Sequence, residues 1–418
     1  MAATVVIGAQ WGDEAKGKIV DYLVSESKVL IRYAGGANAG HTVQHGDKKF
    51  KFHHLPSGIL HPHLKCFITS NAVIDLEKLA SELDSLKSKN IPTAKLLISP
   101  DCHVVMPMHK KEDVYTESLL GDGKVGTTGQ GIGPVYSDKA LRIGFRIRDL
   151  LKGTEAIFKN PKFVAFKEKY KHLNLNAEEI LIDQVAKAKS LTSYFEDPFW
   201  SVQHSVTNNE KIVAEGAQGA FLDLNYGEYP FVTSSHPISG GACLGTGLGP
   251  RDIEKVIGVV KAYSTRVGSG PMPTEIFGEE ANKIRIKGNE FGTTTGRPRR
   301  IGWPDLVALK YSVAINSMDT IALTLLDVLS DLDSIPVCVA YKNIHTNLVT
   351  DEFPKGELEN FEPVYENLKG WKSNIEKMTN YDELPLEAKT YVSFVEKFLK
   401  KKVEFISVGP SREQTIRR

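Results

Sequence analysis

The sequence predicts an α/β protein around a mostly parallel central sheet, and three observations carry that prediction. Short β-branched runs, among them Val5-Val6-Ile7, Val29 to Tyr33 and Ile212 to Glu215, each empty into a glycine-rich polar loop. Segments of helical apolar period lie between them, and no low-complexity linker or internal repeat divides the chain. Ligands of open α/β sheets gather beyond the carboxyl ends of the strands, so several such loops can line one crevice. With 418 residues, 41% of them hydrophobic, the chain reads as a single large domain over residues 1–418, with inserted helical and loop subdomains.

Lys plus Arg number 52 against 51 Asp plus Glu, so no global field attracts nucleic acid or an anionic membrane. Cys66, Cys102, Cys243 and Cys338 are far apart and form no C-x-x-C pair, which suits a reducing compartment. The apolar N-terminus has no basic leader and reads as a first strand, and nothing approaches the ~20 apolar residues of a membrane span. The expectation is a cytoplasmic protein with small-molecule substrates, no nucleic acid and no membrane.

The first loop, Gly8 to Lys18, reads GAQWGDEAKGK and leads into the periodic Ile19, Val20 and Leu23. A helix N-terminus facing such a loop aims N–H groups and the positive end of its dipole at an anion, and Lys16 and Lys18 add charge; phosphate is the natural ligand. Gly12, four residues, then Gly17-Lys18 matches a P-loop, but Ile19 stands where that motif needs Ser or Thr for Mg²⁺. The metal ligand then comes from elsewhere, and Asp13 and Glu14 place acids beside the phosphates, which suggests chemistry.

Val29 to Tyr33 opens into a second glycine loop that runs to His41 and Thr42, and Thr42 to His53 reads as a hairpin turning at Gly46-Asp47. Asp75 caps a helix carrying Leu79, Leu83 and Leu86 to about Asn90. Leu119 to Arg142 holds six glycines and reads as a long functional loop. Pro161 to Trp200 reads as two helices, the second beginning at Asn176. The strand Ile212 to Glu215 precedes Gly216-Ala217-Gln218-Gly219 and a glycine cluster from Gly240 to Gly249, and Lys255 to Tyr263 is a further strand. Gly292 to Arg300, GTTTGRPRR, is the densest cationic loop and suits small carboxylates or phosphates, because guanidinium forks engage them bidentately. Trp303 to Asn316 reads as a helix, and Thr320 to Leu326 as a buried strand ending at Asp327. A carboxylate there can accept from two donors on a guanine edge. Pro385 to Lys400 reads as a helix before Phe405 to Pro410.

Five of these pieces, in order, resemble the adenylosuccinate synthetase family, whose members join IMP to aspartate at the expense of GTP: Gln10 to Glu14, Asn38 to Thr42, Thr127 to Pro134, Glu215 to Gly219, and Thr294 to Arg300. The resemblance spans nearly the full chain. It implies a ligase forming a C–N bond through 6-phosphoryl-IMP, on the way from IMP to AMP, with Mg²⁺ and a homodimer. Asp13 would act as general base on N1 of IMP, His41 would serve the phosphates, and Gln218 would complete the catalytic set. GTP would contact Gly12, Asp13, Glu14, Ala15, Lys16, Gly17 and Lys18, then Gly40, His41, Thr42, Arg299, Leu325, Leu326, Asp327, Ser407, Val408 and Gly409. IMP would contact Asp13 to Lys16, Asn38, Ala39, Gly40, His41, Thr128, Gln218, Thr233 and Arg297, with Arg142 reaching the neighbouring subunit's site. Aspartate would lie on Thr293, Thr294, Thr295, Gly296, Arg297, Pro298 and Arg299, and Mg²⁺ on Asp13 and the Gly40 carbonyl.

Two positions depart from the family pattern. Ala15 stands where glycine is usual, and a positive φ there costs on the order of 1 kcal/mol. Leu325 stands where Thr-Lys-x-Asp is usual, so guanine would be read by Asp327 without a lysine. A nucleotide-binding switch without turnover and a P-loop kinase or GTPase are the rival readings.

Overall fold

Alternation along short apolar strands builds the core. In β1 (Ala3–Gly8), Val5 and Ile7 point to one face of the sheet and Val6 to the other; in β2 (Val29–Arg32), Val29 and Ile31 oppose Leu30 in the same way. Both faces are covered, which is why these strands read as continuous apolar runs rather than alternating ones. The computed structural model describes residues 3–45, 48–292 and 296–418.

The remaining strands of this sheet are β3 (Lys65–Ile68), β4 (Lys95–Ile98), β5 (Ile212–Glu215), β6 (Ile253–Lys261), β7 (Thr320–Thr324), β8 (Lys402–Ser407) and β9 (Thr415–Arg417). Their order is β9-β8-β7-β6-β1-β5-β2-β3-β4, parallel throughout except for β9, which pairs antiparallel with β8 at one edge. The functional consequence is direct: six adjacent strands, from β8 to β2, deliver their carboxyl ends side by side. Those ends open into the loops at 408–410, 325–327, 262–263, 9–15, 216–219 and 33–40.

Several helices form as their sequence signals predict. α1 (Lys16–Leu23) follows the first loop, and α2 (Leu76–Ser88) is capped by the Asp75 carboxylate, which accepts from Lys78 N. Asn176 likewise caps Ala177–Ser190, and Leu306–Asn316 and Leu386–Leu399 lie where expected. The hairpin pairs His41–His45 with Lys48–Phe52, its Gly46-Asp47 turn lying outside the described residues.

Four differences from the sequence reading have physical causes. Pro107–Leu119 is a helix, α3, and the glycine-rich stretch after it ends in a second, α4 (Ile132–Leu141). Pro134 is tolerated in its first turn, where no intrahelical donor is lost, and Ile132 and Val135 pack with Val73 and Val105. Gly240–Thr246 is helical rather than a loop. There Gly241 and Gly245 form a flat face: an added Cβ would lie 2.0 Å from His236 O and 2.3 Å from Tyr33 O. The strand before Asp327 stops at Thr324, because Leu325 is left-handed with φ 54°. A three-stranded antiparallel sheet, with Ser334–Asn343 between Val349–Thr350 and Phe361–Lys369, was not anticipated; its half-buried strands mix polar and apolar residues without clean alternation. Among the described residues no helix is long and apolar enough to cross a membrane.

Candidate active site

The first loop is held from inside by Glu14. Its carboxylate has no exposure; Oε1 accepts from Gln10 N at 3.0 Å and Gly12 N at 2.8 Å, and Oε2 from Lys16 Nζ at 2.7 Å. Glu14 therefore does not face a ligand with its side chain: it shapes the loop, and its partner Lys16 is drawn to the same spot. Gln10 ties the loop sideways to β6, its amide donating to Tyr263 O and accepting from Lys261 N, while Trp11 stacks on Phe221 with ring centroids 4.6 Å apart. What the loop presents outward is Asp13, whose side chain is 32% exposed.

Asp13 and Ala15 both take left-handed backbone, with φ 61° and 64°. Aspartate tolerates that region; alanine pays for its Cβ. Ala15→Gly is therefore expected to stabilise the fold, by up to about 1 kcal/mol after glycine's larger unfolded-state entropy is set against the relieved strain. A denaturant midpoint that falls instead of rising would contradict this.

Beyond β2 and β5, Gln218 is left-handed at φ 55° and donates from Nε2 to Asn38 Oδ1 at 3.2 Å, joining the two loops. Its Oε1 is buried without a partner, and so is His41 Nε2. His41 begins the hairpin and packs where a Cβ on Gly17 would lie 3.4 Å from its own. Burial first, then the Arg32 charge, hold the His41 imidazole well below its usual range, so it is neutral at pH 7. Glu215, from the motif before Gln218, accepts from Ser57 N and Oγ at 2.9 and 2.8 Å and is scaffold. Ala39 is held by its carbonyl, 3.2 Å from His53 Nδ1, and Gly40 and Thr42 lie on either side of His41 at the hairpin's entry.

Other buried histidines make a measurable pH signature. Burial lowers His54 from 6.5 to about 3, with Arg32 adding to the shift, and His103 to about 4, with Lys139 adding. The unfolded chain takes up these protons near 6.5 and the folded one does not, so stability is lost as pH falls below that value. Each histidine is expected to remove on the order of 2 kcal/mol by pH 5. Urea midpoints equal at pH 7 and pH 5 would overturn this.

Arg299 meets the first loop at Asp13. Its Nε lies 2.8 Å from Asp13 Oδ2 and its Nη1 donates to the buried Glu290 Oε2 at 2.6 Å. Arg297 is exposed, Gly296 and Pro298 hold the turn through Gly296 N to Gly292 O and a bridge to Phe291, and Thr293, Thr294 and Thr295 lie outside the described residues. At the far end of the edge, Asp327 Oδ1 is another buried polar atom without a partner, and burial raises its carboxyl above the usual range. Leu325 is half-buried beside it and Leu326 is core. Lys18 is spoken for: its Nζ donates to Ser407 Oγ at 2.5 Å, Gly409 O at 2.6 Å and Gln414 O at 2.9 Å, and burial lowers it to about 7. It ties α1 to the C-terminal turn, where Val408 is buried, instead of facing the first loop.

The glycine-rich loop before α4 is organised by carboxylates of α3 that sequence reading passed over. Glu117 accepts from Val125 N, Gly126 N and Thr127 N at 3.1, 2.9 and 3.2 Å, and Asp113 from Gly131 N at 2.8 Å. Thr128 is half-buried in that loop, Thr233 is half-buried and donates its N–H to Leu222 O at 2.8 Å, and Arg142 is exposed and left-handed at the end of α4. Glu290 was likewise passed over; its one sequence signal is an isolated acid beside the cationic loop.

An acid, a neutral imidazole and a guanidinium at the carboxyl edge of a parallel sheet, behind a phosphate-type loop, define an α/β enzyme of phosphorylated ligands. The chain matches the profile of the family described as adenylosuccinate synthetase over residues 5–416. It is 45% identical over 423 residues to the adenylosuccinate synthetase of Desulforamulus reducens, covering 100% of this chain and 98% of that one. Against the Moorella thermoacetica adenylosuccinate synthetase the figures are 46%, 100% and 99%. The solved structure of fully ligated adenylosuccinate synthetase from Plasmodium falciparum superposes with TM-score 0.93 at 39% identity, covering 100% of both chains. The chain belongs to the adenylosuccinate synthetase family, a family of GTP-dependent ligases of purine biosynthesis.

Proposed function

We propose that the protein joins IMP and L-aspartate to adenylosuccinate as one domain spanning residues 1–418, with GTP converted to GDP and phosphate. The observation that carries this reading is the set of three buried, unpartnered polar atoms, Gln218 Oε1 and Asp327 Oδ1 in loops at the carboxyl ends of β5 and β7, and His41 Nε2 at the start of the hairpin that follows the β2 loop. Buried polar groups are ordinarily paired, so partners supplied by ligands account for all three.

In this mechanism Asp13 takes the N1 proton of IMP, and the 6-oxygen attacks the γ-phosphorus of GTP as the bond to GDP breaks. Aspartate's amine then adds at C6 and phosphate leaves, an oxygen made a good leaving group by phosphorylation. Gln218 Oε1 is an acceptor for a donor on the purine. His41, held neutral by burial and the Arg32 charge, is a hydrogen-bond donor to the phosphates in the tautomer that carries its proton on Nε2. Arg297 and Arg299 serve the carboxylates of aspartate together with Thr293 to Thr295, and Arg299 the phosphates as well. Asp13 and the Gly40 carbonyl are hard oxygens that suit Mg²⁺, which would supply charge neutralisation on the phosphates when bound. Asp327 reads guanine, with Leu325 packing on the base, and the Ser407 to Gly409 turn closes that end.

A homodimer fits the exposed apolar residues Val114 and Leu119 of α3, Leu120 just after it, and Leu141 of α4, which directly precedes Arg142, the residue assigned to the neighbouring site. A cytoplasmic location fits the four unpaired thiols. The test is the absorbance of adenylosuccinate formed from IMP and aspartate with GTP, then with ATP. Product only with GTP supports the whole reading; product with both revises the role of Asp327; none, from folded protein that binds GTP, moves the reading to a switch.

A further inference from the structure

We propose that Glu290 is a positioning residue, a buried anion that fixes the Arg299 guanidinium between Asp13 and the incoming phosphates; this rests on the ligase reading above. Glu290 has no exposure and lies outside every loop assigned to a ligand. Its Oε1 accepts from Lys261 Nζ at 2.8 Å and from the Tyr263 hydroxyl, and its Oε2 from Arg299 Nη1 at 2.6 Å. Its backbone carbonyl also accepts from Arg299 N at 2.9 Å, so the residue grips Arg299 at both ends.

The other side of the grip is equally fixed. Lys261 is buried at the end of β6 and donates again to Thr265 Oγ1 at 2.7 Å. Tyr263 is fully buried two residues on, packed so closely that a Cβ on Gly288 would lie 2.3 Å from its hydroxyl. Two anions, Asp13 and Glu290, thus alternate with two cations, Arg299 and Lys261, in a chain from the site mouth to the sheet. A buried carboxylate persists only with such partners.

The two carboxylates on Arg299 are not equivalent. Glu290 is immobilised by Lys261 and Tyr263, whereas Asp13 is partly exposed on a loop. A phosphate approaching the mouth therefore competes with Asp13 for the guanidinium and not with Glu290. Arg299 can release Asp13 for proton transfer while its Nη1 stays anchored, which keeps the cation from following Asp13 or swinging into solvent.

The experiment is a double-mutant cycle between Glu290→Gln and Arg299→Leu, read by kcat/KM for GTP in the adenylosuccinate assay and by GDP affinity in calorimetry. Glu290→Gln is expected to lower kcat/KM by about 10- to 100-fold in the wild-type background and by less than about 2-fold when Arg299 is already leucine. Loss of equal size in both backgrounds, or no loss in the first, overturns the proposal. Should Glu290→Gln fail to fold, Tyr263→Phe removes one donor to Glu290 without altering charge, and the same non-additivity, smaller in size, is expected; additivity there overturns it equally. A wild-type protein that forms no adenylosuccinate would sink the ligase reading, while the GDP-affinity cycle still decides whether Glu290 acts through Arg299.

Discussion

Asp13→Asn is expected to lower turnover by about 10²- to 10⁴-fold, the range over which a positioned general base acts, while folded stability stays near wild type. Asparagine is the informative substitution because residue 13 is left-handed at φ 61°, a conformation that costs asparagine less than it costs alanine. It also keeps the side-chain shape beside Arg299, whose second anchor on Glu290 survives. The loss therefore reports the missing proton acceptor rather than a collapsed loop. GDP affinity measured without Mg²⁺ should fall little or even rise, since Arg299 loses a competing anion. Turnover within a few-fold of wild type would remove Asp13 from the base role and leave it as a partner of Arg299.

How much was legible in the sequence follows from where each signal resides. The strands at the ligand edge could be read because a β-branched run stopped by glycines is a local pattern, and β1, β2 and β5 fall where the pattern places them. Their adjacency could not, since strand order is decided by long-range pairing, yet adjacency is what brings Gln218 to Asn38. The motif residues also divide in a way that spacing does not disclose. Asp13 is partly exposed and His41 Nε2 and Gln218 Oε1 are left without protein partners, whereas Glu14, Gln10, Trp11 and Glu215 turn inward and hold the loops that carry them. An acid in a loop gives its chemistry to the reader but not its direction. Glu290 and Glu117 were missed for the same reason: each is an unremarkable glutamate until tertiary structure closes a cation or three amides around it. The helix Gly240–Thr246 escaped because glycine's poor helix propensity argues against it locally, and only the backbones packed on Gly241 and Gly245 argue for it.

The same distinction between local and tertiary glycine predicts a large effect at Gly219. Its backbone is extended, with φ −137°, so no conformational reason excludes a side chain. Space does: a Cβ would lie 2.3 Å from both Gln10 O and Gly12 N and 2.7 Å from Glu14 Oε1. None of these can give, because Gln10 is pinned to β6 and the Glu14 carboxylate is saturated by Gln10 N, Gly12 N and Lys16. Gly219→Ala must therefore push the first loop away from the loop carrying Gln218, at a cost of about 3 kcal/mol or more. A displacement near 1 Å at Asp13 is enough to reduce turnover by roughly 100-fold in the fraction that folds. Gly240→Ala is the matched control, since a Cβ there meets nothing within 4 Å and the residue opens a helix, so it should leave melting temperature and turnover unchanged or slightly raised. If both alanines behave alike, the close contact of Gly219 with Gln10, Gly12 and Glu14 does not hold in solution, and the packing of the Gln218 loop on the first loop loses its physical basis.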